Sequence, residues 1–98
     1  MSTLHILSHS PFSDTRFYSC LRLLASGDAL LLTGDATYAV REGSAPLRAL
    51  LALEEGIAIY ALDEDLMARA VDVIDTVKKV DYPGFVQLCT TYQRVNSW

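Results

Sequence analysis

Basic side chains are scarce in this sequence. Eight Lys and Arg against twelve Asp and Glu leave a formal charge of −4 over 98 residues. A chain of that sign has no general attraction to a phosphate backbone, so direct nucleic-acid binding by it alone is not expected. Lys78-Lys79 is the one adjacent basic pair. Cysteine is scarce too: Cys20 and Cys89 are too few for a disulfide scaffold and are expected to be free thiols in a reducing cytoplasm. No apolar run is long enough to span a bilayer, and the start Met1 to Leu7 has no charged n-region, so neither a membrane partner nor a signal peptide is expected. Neither the G-x-G-x-x-G nor the G-x-x-x-x-G-K-[ST] pattern occurs, and the segment Ser8 to Ser13 has no glycine with which to wrap a pyrophosphate. No cofactor is therefore expected. No Cys or His stands at a familiar ligand spacing with His5 or His9, which argues against a metal site.

Apolar residues, in contrast, are plentiful. They make up 51% of the chain against 20% charged, which excludes disorder and is rich for a small monomer with much surface to cover. Ninety-eight residues hold one domain, taken as 1–98. Part of the apolar surplus is expected to be buried against another chain.

The pattern alternates short apolar runs with helical stripes. Leu4-His5-Ile6-Leu7 reads as a first strand. Ser13-Asp14 offers an N-cap to a helix carrying Phe17, Cys20, Leu21 and Leu24 on one face, with Gly27 closing it. Ala29 to Leu32 is a continuous apolar strand of the kind buried on both faces in parallel sheets. A short helix is expected over Ala36 to Arg41. Pro46 then suits the first turn of a helix bearing Leu47, Leu50, Leu51 and Glu54. Ile57 to Leu62 is the clearest strand. Asp63-Glu64-Asp65 complements the dipole of a helix whose stripe is Leu66, Met67, Ala70 and Val71, with an Asp65–Arg69 pair at i, i+4. A short strand near Thr76 to Val80 follows. Asp81 caps a last helix with Phe85, Leu88, Cys89 and Tyr92 on its apolar face, and Arg94 to Trp98 gives a final strand. This order implies an α/β fold with a flavodoxin-like outline: a mainly parallel central sheet of about five strands, with helices on both faces.

Few residues suggest chemistry. His5 reads as a core or interface histidine. His9 lies beyond a strand's carboxyl end, where open α/β sheets bind ligands, yet a lone loop histidine is a weak site signal. The carboxylates Glu54-Glu55 and Asp63-Glu64-Asp65 are adjacent and point apart, so they cap helices and do not form an acid–base pair. Cys20 is the one candidate catalytic nucleophile, with Arg16 four residues before it as a charge that would favour a thiolate. The competing reading is packing, because Cys20 stands on the stripe of Phe17, Leu21 and Leu24. Packing is the stronger reading again for Cys89, beside Phe85 and Tyr92. Trp98, the only tryptophan, is the interface candidate; the alternative is that it closes the domain's own core.

Several segments together resemble the DsrH/TusB family of sulfur-relay proteins: Leu4 to Phe12, Cys20 to Leu24, Gly27 to Leu32, Tyr60 to Leu66 with Ala68-Arg69, Val80 to Val86, and Val95 to Trp98. The likeness covers essentially the whole chain. It implies a DsrE/F/H-like fold and assembly with two related DsrE/F-like (TusD/TusC-like) subunits into a heterohexamer. It also implies a part in persulfide transfer, toward 2-thiolation of the tRNA wobble uridine or, in the Dsr type, toward sulfur oxidation. The relay cysteine of such complexes lies on the DsrE/TusD subunit, which makes this chain a non-catalytic member, with Cys20 as its own sulfur carrier in the alternative. A homo-oligomer when the chain is alone, or an unrelated small-molecule-binding α/β domain, are the further alternatives.

Overall fold

The computed structural model describes residues 2–98. Strands β1 (Thr3–Leu7), β2 (Ala29–Leu32), β3 (Ala58–Leu62), β4 (Lys78–Val80) and β5 (Arg94–Ser97) form one sheet of order β4-β3-β2-β1-β5, and every neighbouring pair is parallel. The helices are α1 (Arg16–Leu23), α2 (Ala45–Leu51), α3 (Asp63–Ala68) and α4 (Tyr82–Thr91), with a 3-10 helix over Gly34–Val40. The expected α/β architecture is therefore present.

The strand order decides which face each helix covers. From β1 to β4 the chain steps one strand at a time in one direction, so right-handed crossovers put α1, the 3-10 helix, α2 and α3 on one face. The last crossover reverses, carrying β5 past β1, and so α4 lies alone on the other face. The crowded face holds the larger core, built from Leu7, Phe17, Cys20, Leu30, Leu32, Val40 and their neighbours. The α4 face has a smaller one, in which Leu4, Ala29 and Leu31 are buried and Ile6, Tyr60, Phe85, Leu88 and Tyr92 are half-buried. All four residues of β2 are buried, as its unbroken apolar run requires at the centre of a two-sided sheet.

Local departures from the sequence reading have local causes. Helix α1 begins after Thr15 and not at Ser13-Asp14. Asp14 still serves the helix start, accepting from the Arg16 backbone N–H at 2.8 Å. The helix also ends before Gly27: Leu24 is already extended, and Gly27 belongs to the turn into β2, where its N–H donates to the Gly56 carbonyl. The expected helix over 36–41 is of the tighter 3-10 kind. Helix α2 stops at Leu51, so Glu54 lies outside it and Leu51 is exposed. Helix α3 is a short one, and the stripe read along it breaks: Met67 is 73% exposed, and Ala70 is exposed with φ +52 in the turn that ends the helix. Only Leu66 of α3, and Val71 after it, reach the core. Of two caps with side-chain hydrogen bonds, the one at Asp81 is expected from the sequence and the one at Ser44 is not. Ser44 accepts from the Leu47 N–H and Asp81 from the Gly84 N–H, each with a proline in the first turn.

Candidate functional site

Cys20 faces the sheet from the middle of α1, because Phe17 and Cys20 share the face that packs on β1 and β2. It is 0% exposed. Burial first, and the Asp28 carboxylate second, push its thiol from an ordinary 9.0 up to about 12. Arg16 does not act on it. That guanidinium turns outward at the start of α1, with Nη1 2.7 Å from Nε2 and 2.9 Å from Nδ1 of His9, and its Nε 3.6 Å from Asp14. The charge that bears on Cys20 thus has the sign that opposes a thiolate. Cys89 is half-buried on the inner side of α4.

Asp28, which carried no signal in the sequence, organises the polar interior beside Cys20. It is buried in the turn before β2, with Oδ1 accepting from the Thr3 N–H and Oδ2 from the Ala25 N–H, both at 3.0 Å. It thereby ties the start of β1 to the end of the α1–β2 turn. His5, also buried, presents Nε2 to Asp28 Oδ2 at 3.8 Å. On the other side of the ring, the Trp98 indole N–H donates to His5 Nδ1 at 3.1 Å. An indole N–H can only donate, so Nδ1 carries no proton here, and the proton of the neutral ring is on Nε2, facing Asp28. Trp98 packs on the larger core while its backbone N–H extends the β1–β5 ladder to the Ile6 carbonyl. Its indole is turned onto its own domain. A sequence signal for this constellation would have needed the β1–β5 register, which sets Asn96 opposite His5 and brings the C-terminal residue alongside.

At the carboxyl ends of β1 and β2, on the usual ligand side of such a sheet, the protein's own groups meet one another. Asp65 Oδ2 accepts from the Gly34 N–H at 2.7 Å, and Arg69 reaches Asp35 at 3.0 Å and Asp65 at 3.8 Å. A side chain at Gly34 would sit 3.3 Å from the Ser8 carbonyl, so the β1 and β2 loops lie against each other. His9 is exposed above them. An open groove of about 640 Å³ lies to one side, between α3 and β4, lined by Leu66, Met67, Val71, Ile74 and Lys78 among others. Among the described residues no group of three or more His, Cys, Asp and Glu is placed to hold a metal. No helix of the structure is long and apolar enough to cross a membrane.

The outer surface of α4 is of another kind. Its ten residues, Tyr82 to Thr91, include no charged side chain, and none of them is buried. Every other α-helix carries charge: Arg16 and Arg22 on α1, Arg48 on α2, Asp63, Glu64 and Asp65 on α3. Tyr82 and Val86, one turn apart, are 52% and 62% exposed, and Val95 on the neighbouring edge strand is exposed as well. Tyr92, past the end of the helix, joins Tyr60 of β3; burial, with Tyr60 and Asp28 nearby, raises its phenol above the ordinary value.

A parallel five-stranded sheet with helices on both faces is consistent with a DsrE/F/H-like fold. Comparison with known proteins bears on this at two levels. In solved structures, the ychN protein from E. coli superposes with a TM-score of 0.78 at 18% identity, each chain covered completely. MTH1491 from Methanobacterium thermoautotrophicum gives 0.71 at 16%, covering 97% of this chain and 96% of its own. At those identities the likeness is one of fold. In sequence, the family model described as DsrH like protein matches residues 9–95. The protein TusB of Salmonella typhimurium and that of Salmonella enteritidis are each 40% identical over 97 residues, which cover 97% of this chain and 99% of theirs. The chain belongs to the DsrH/TusB family.

Proposed function

We propose that this chain serves the cytoplasmic sulfur relay leading to 2-thiolation of the tRNA wobble uridine, as a single-domain, non-catalytic subunit that docks two related DsrE/F-like subunits in a heterohexamer. The observation that carries the reading is its kinship with the TusB proteins along nearly its whole length. The state of Cys20 supports the non-catalytic part. Sulfur is accepted by a thiolate within reach of a donor, and a thiol that is fully buried and pushed up to about 12 offers neither the charge nor the access. Cys20 is thus a packing residue of α1, and the persulfide stays on a sister subunit.

The uncharged face of α4 is the docking surface. A helix exposed to water along its length ordinarily carries charge on its outer side. One that carries none, and that leaves the sheet half-covered beneath it, suits a partner equally free of charge, since an ion left unpaired in such a contact is costly. Trp98 acts as support: by holding the end of β5 to β1 it keeps Val95 in place beside α4. Val86→Glu tests the reading. Co-expressed with the two sister subunits, the natural chain forms a stable mixed complex by light scattering, and the variant, folded by circular dichroism, does not. A complex that tolerates Val86→Glu moves the interface elsewhere, and a natural chain that stays monomeric in the presence of the sister subunits removes the relay reading.

A further inference from the structure

We propose that the hydrogen bond between Trp98 and His5 is a proton-operated latch that frees the Trp98 indole from the first strand. The indole N–H has no acceptor capacity, so His5 holds it only while Nδ1 is bare. Proton uptake at Nδ1 sets two N–H groups against each other at 3.1 Å and abolishes the bond. The same proton turns Nε2–H into the cationic partner of Asp28, 3.8 Å away. Protonation therefore exchanges one partner for the other: His5 gains Asp28 and loses Trp98. Because both rings sit within the fold, with centroids 6.2 Å apart, the indole cannot stay in its present pose beside an imidazolium N–H.

The groups facing His5 permit such an exchange. The turn before β2 contributes the Asp28 carboxylate, already held by the Thr3 and Ala25 N–H groups. Helix α1 contributes the neutral Cys20 thiol beside that carboxylate. On β5 the residue opposite His5 is the uncharged Asn96, and Arg94, opposite Thr3, is exposed. Asp28 is thus the anionic group that receives the charge. On the other side of the exchange, Trp98 keeps its backbone bond to the Ile6 carbonyl, and its indole, packed on the larger core, has lost its one side-chain hydrogen bond.

Trp98 is the only tryptophan, so the intrinsic fluorescence reports on this one site. The test uses the full chain, folded throughout by circular dichroism, titrated across the range in which histidines change charge, about pH 8 to 5. The expected result is a shift of the emission to longer wavelength and greater quenching by acrylamide as the pH falls. In His5→Gln, whose amide oxygen accepts the indole N–H and takes up no proton, the emission stays constant; in His9→Asn it shifts as in the natural chain. A natural chain with constant emission, or an equal shift in His5→Gln, overturns the proposal. Nitrogen NMR of the unaltered protein provides a test that needs no variant. Above the transition His5 must be the Nε2–H tautomer, and finding the proton on Nδ1 refutes the latch.

Discussion

Alkylation of Cys20 measures directly how far the interior opposes its ionisation. Raising the thiol from 9.0 to about 12 lowers the thiolate fraction at pH 8 about a thousandfold, one decade for each pH unit. Nucleophilicity of the thiolate rises with its basicity, with a Brønsted slope near 0.45, which returns a factor of about 20 over three units. The chemical term alone therefore leaves Cys20 about fifty-fold slower than the same thiol in the unfolded chain. Burial then multiplies that factor, because a side chain with no exposed surface reacts only through local opening. The assay is a pulse of iodoacetamide at pH 8 on native and urea-unfolded protein, with the Cys20 and Cys89 peptides quantified by mass spectrometry. The native rate at Cys20 should fall short of the unfolded rate by well over the fifty-fold chemical factor, about 50. A native rate within about tenfold of the unfolded one would refute the reasoning. The same protein would then have to be considered a sulfur carrier in its own right.

The raised Cys20 value also implies an alkaline limit. The neutral thiol is the form the folded state prefers, so the associated stability is complete below 9.0 and is lost as the pH rises toward about 12, by as much as ~4 kcal/mol for three units. Urea unfolding of the natural chain should weaken over that window more steeply than that of Cys20→Ala, and parallel curves would contradict it. Asp28→Asn keeps one acceptor for the Thr3 and Ala25 N–H groups and turns an amide donor on the other, which should cost about 2 kcal/mol and lower the melting temperature by about 10 °C. In that variant Cys20 should alkylate faster, since the carboxylate that opposes its ionisation is gone. An unchanged melting temperature would show that Asp28 is not the tie described. In the isolated chain Val86→Glu should alter stability by no more than about 0.5 kcal/mol, because the side chain is mostly in water. A larger loss by urea unfolding would mean that Val86 is part of the domain's own core.

By itself the sequence determined the class of the fold. The short apolar runs at 4–7, 29–32 and 57–62, bounded by turn residues, favour strands in a covered sheet, and the stripes between them are helical in period. Parallel pairing and two-sided coverage follow from that alternation alone. It also determined kinship, since the resemblance runs through segments spread along the whole chain and agrees with the relatives found for it. Cys20 was legible as a residue with two possible lives, on a stripe with Phe17 and four residues from Arg16. Only the tertiary structure decided what surrounds it, because the charge that matters comes from Asp28, eight residues on, and Arg16 is drawn off by His9. Where stripes broke, at Met67 and Ala70, the helix was too short to continue them, and chain reversal overrode periodicity. The Trp98–His5 contact joins residues 93 positions apart through a parallel pairing of the first and last strands. Linear spacing has no term for such a contact; it exists because the final crossover reverses direction and lays β5 against β1.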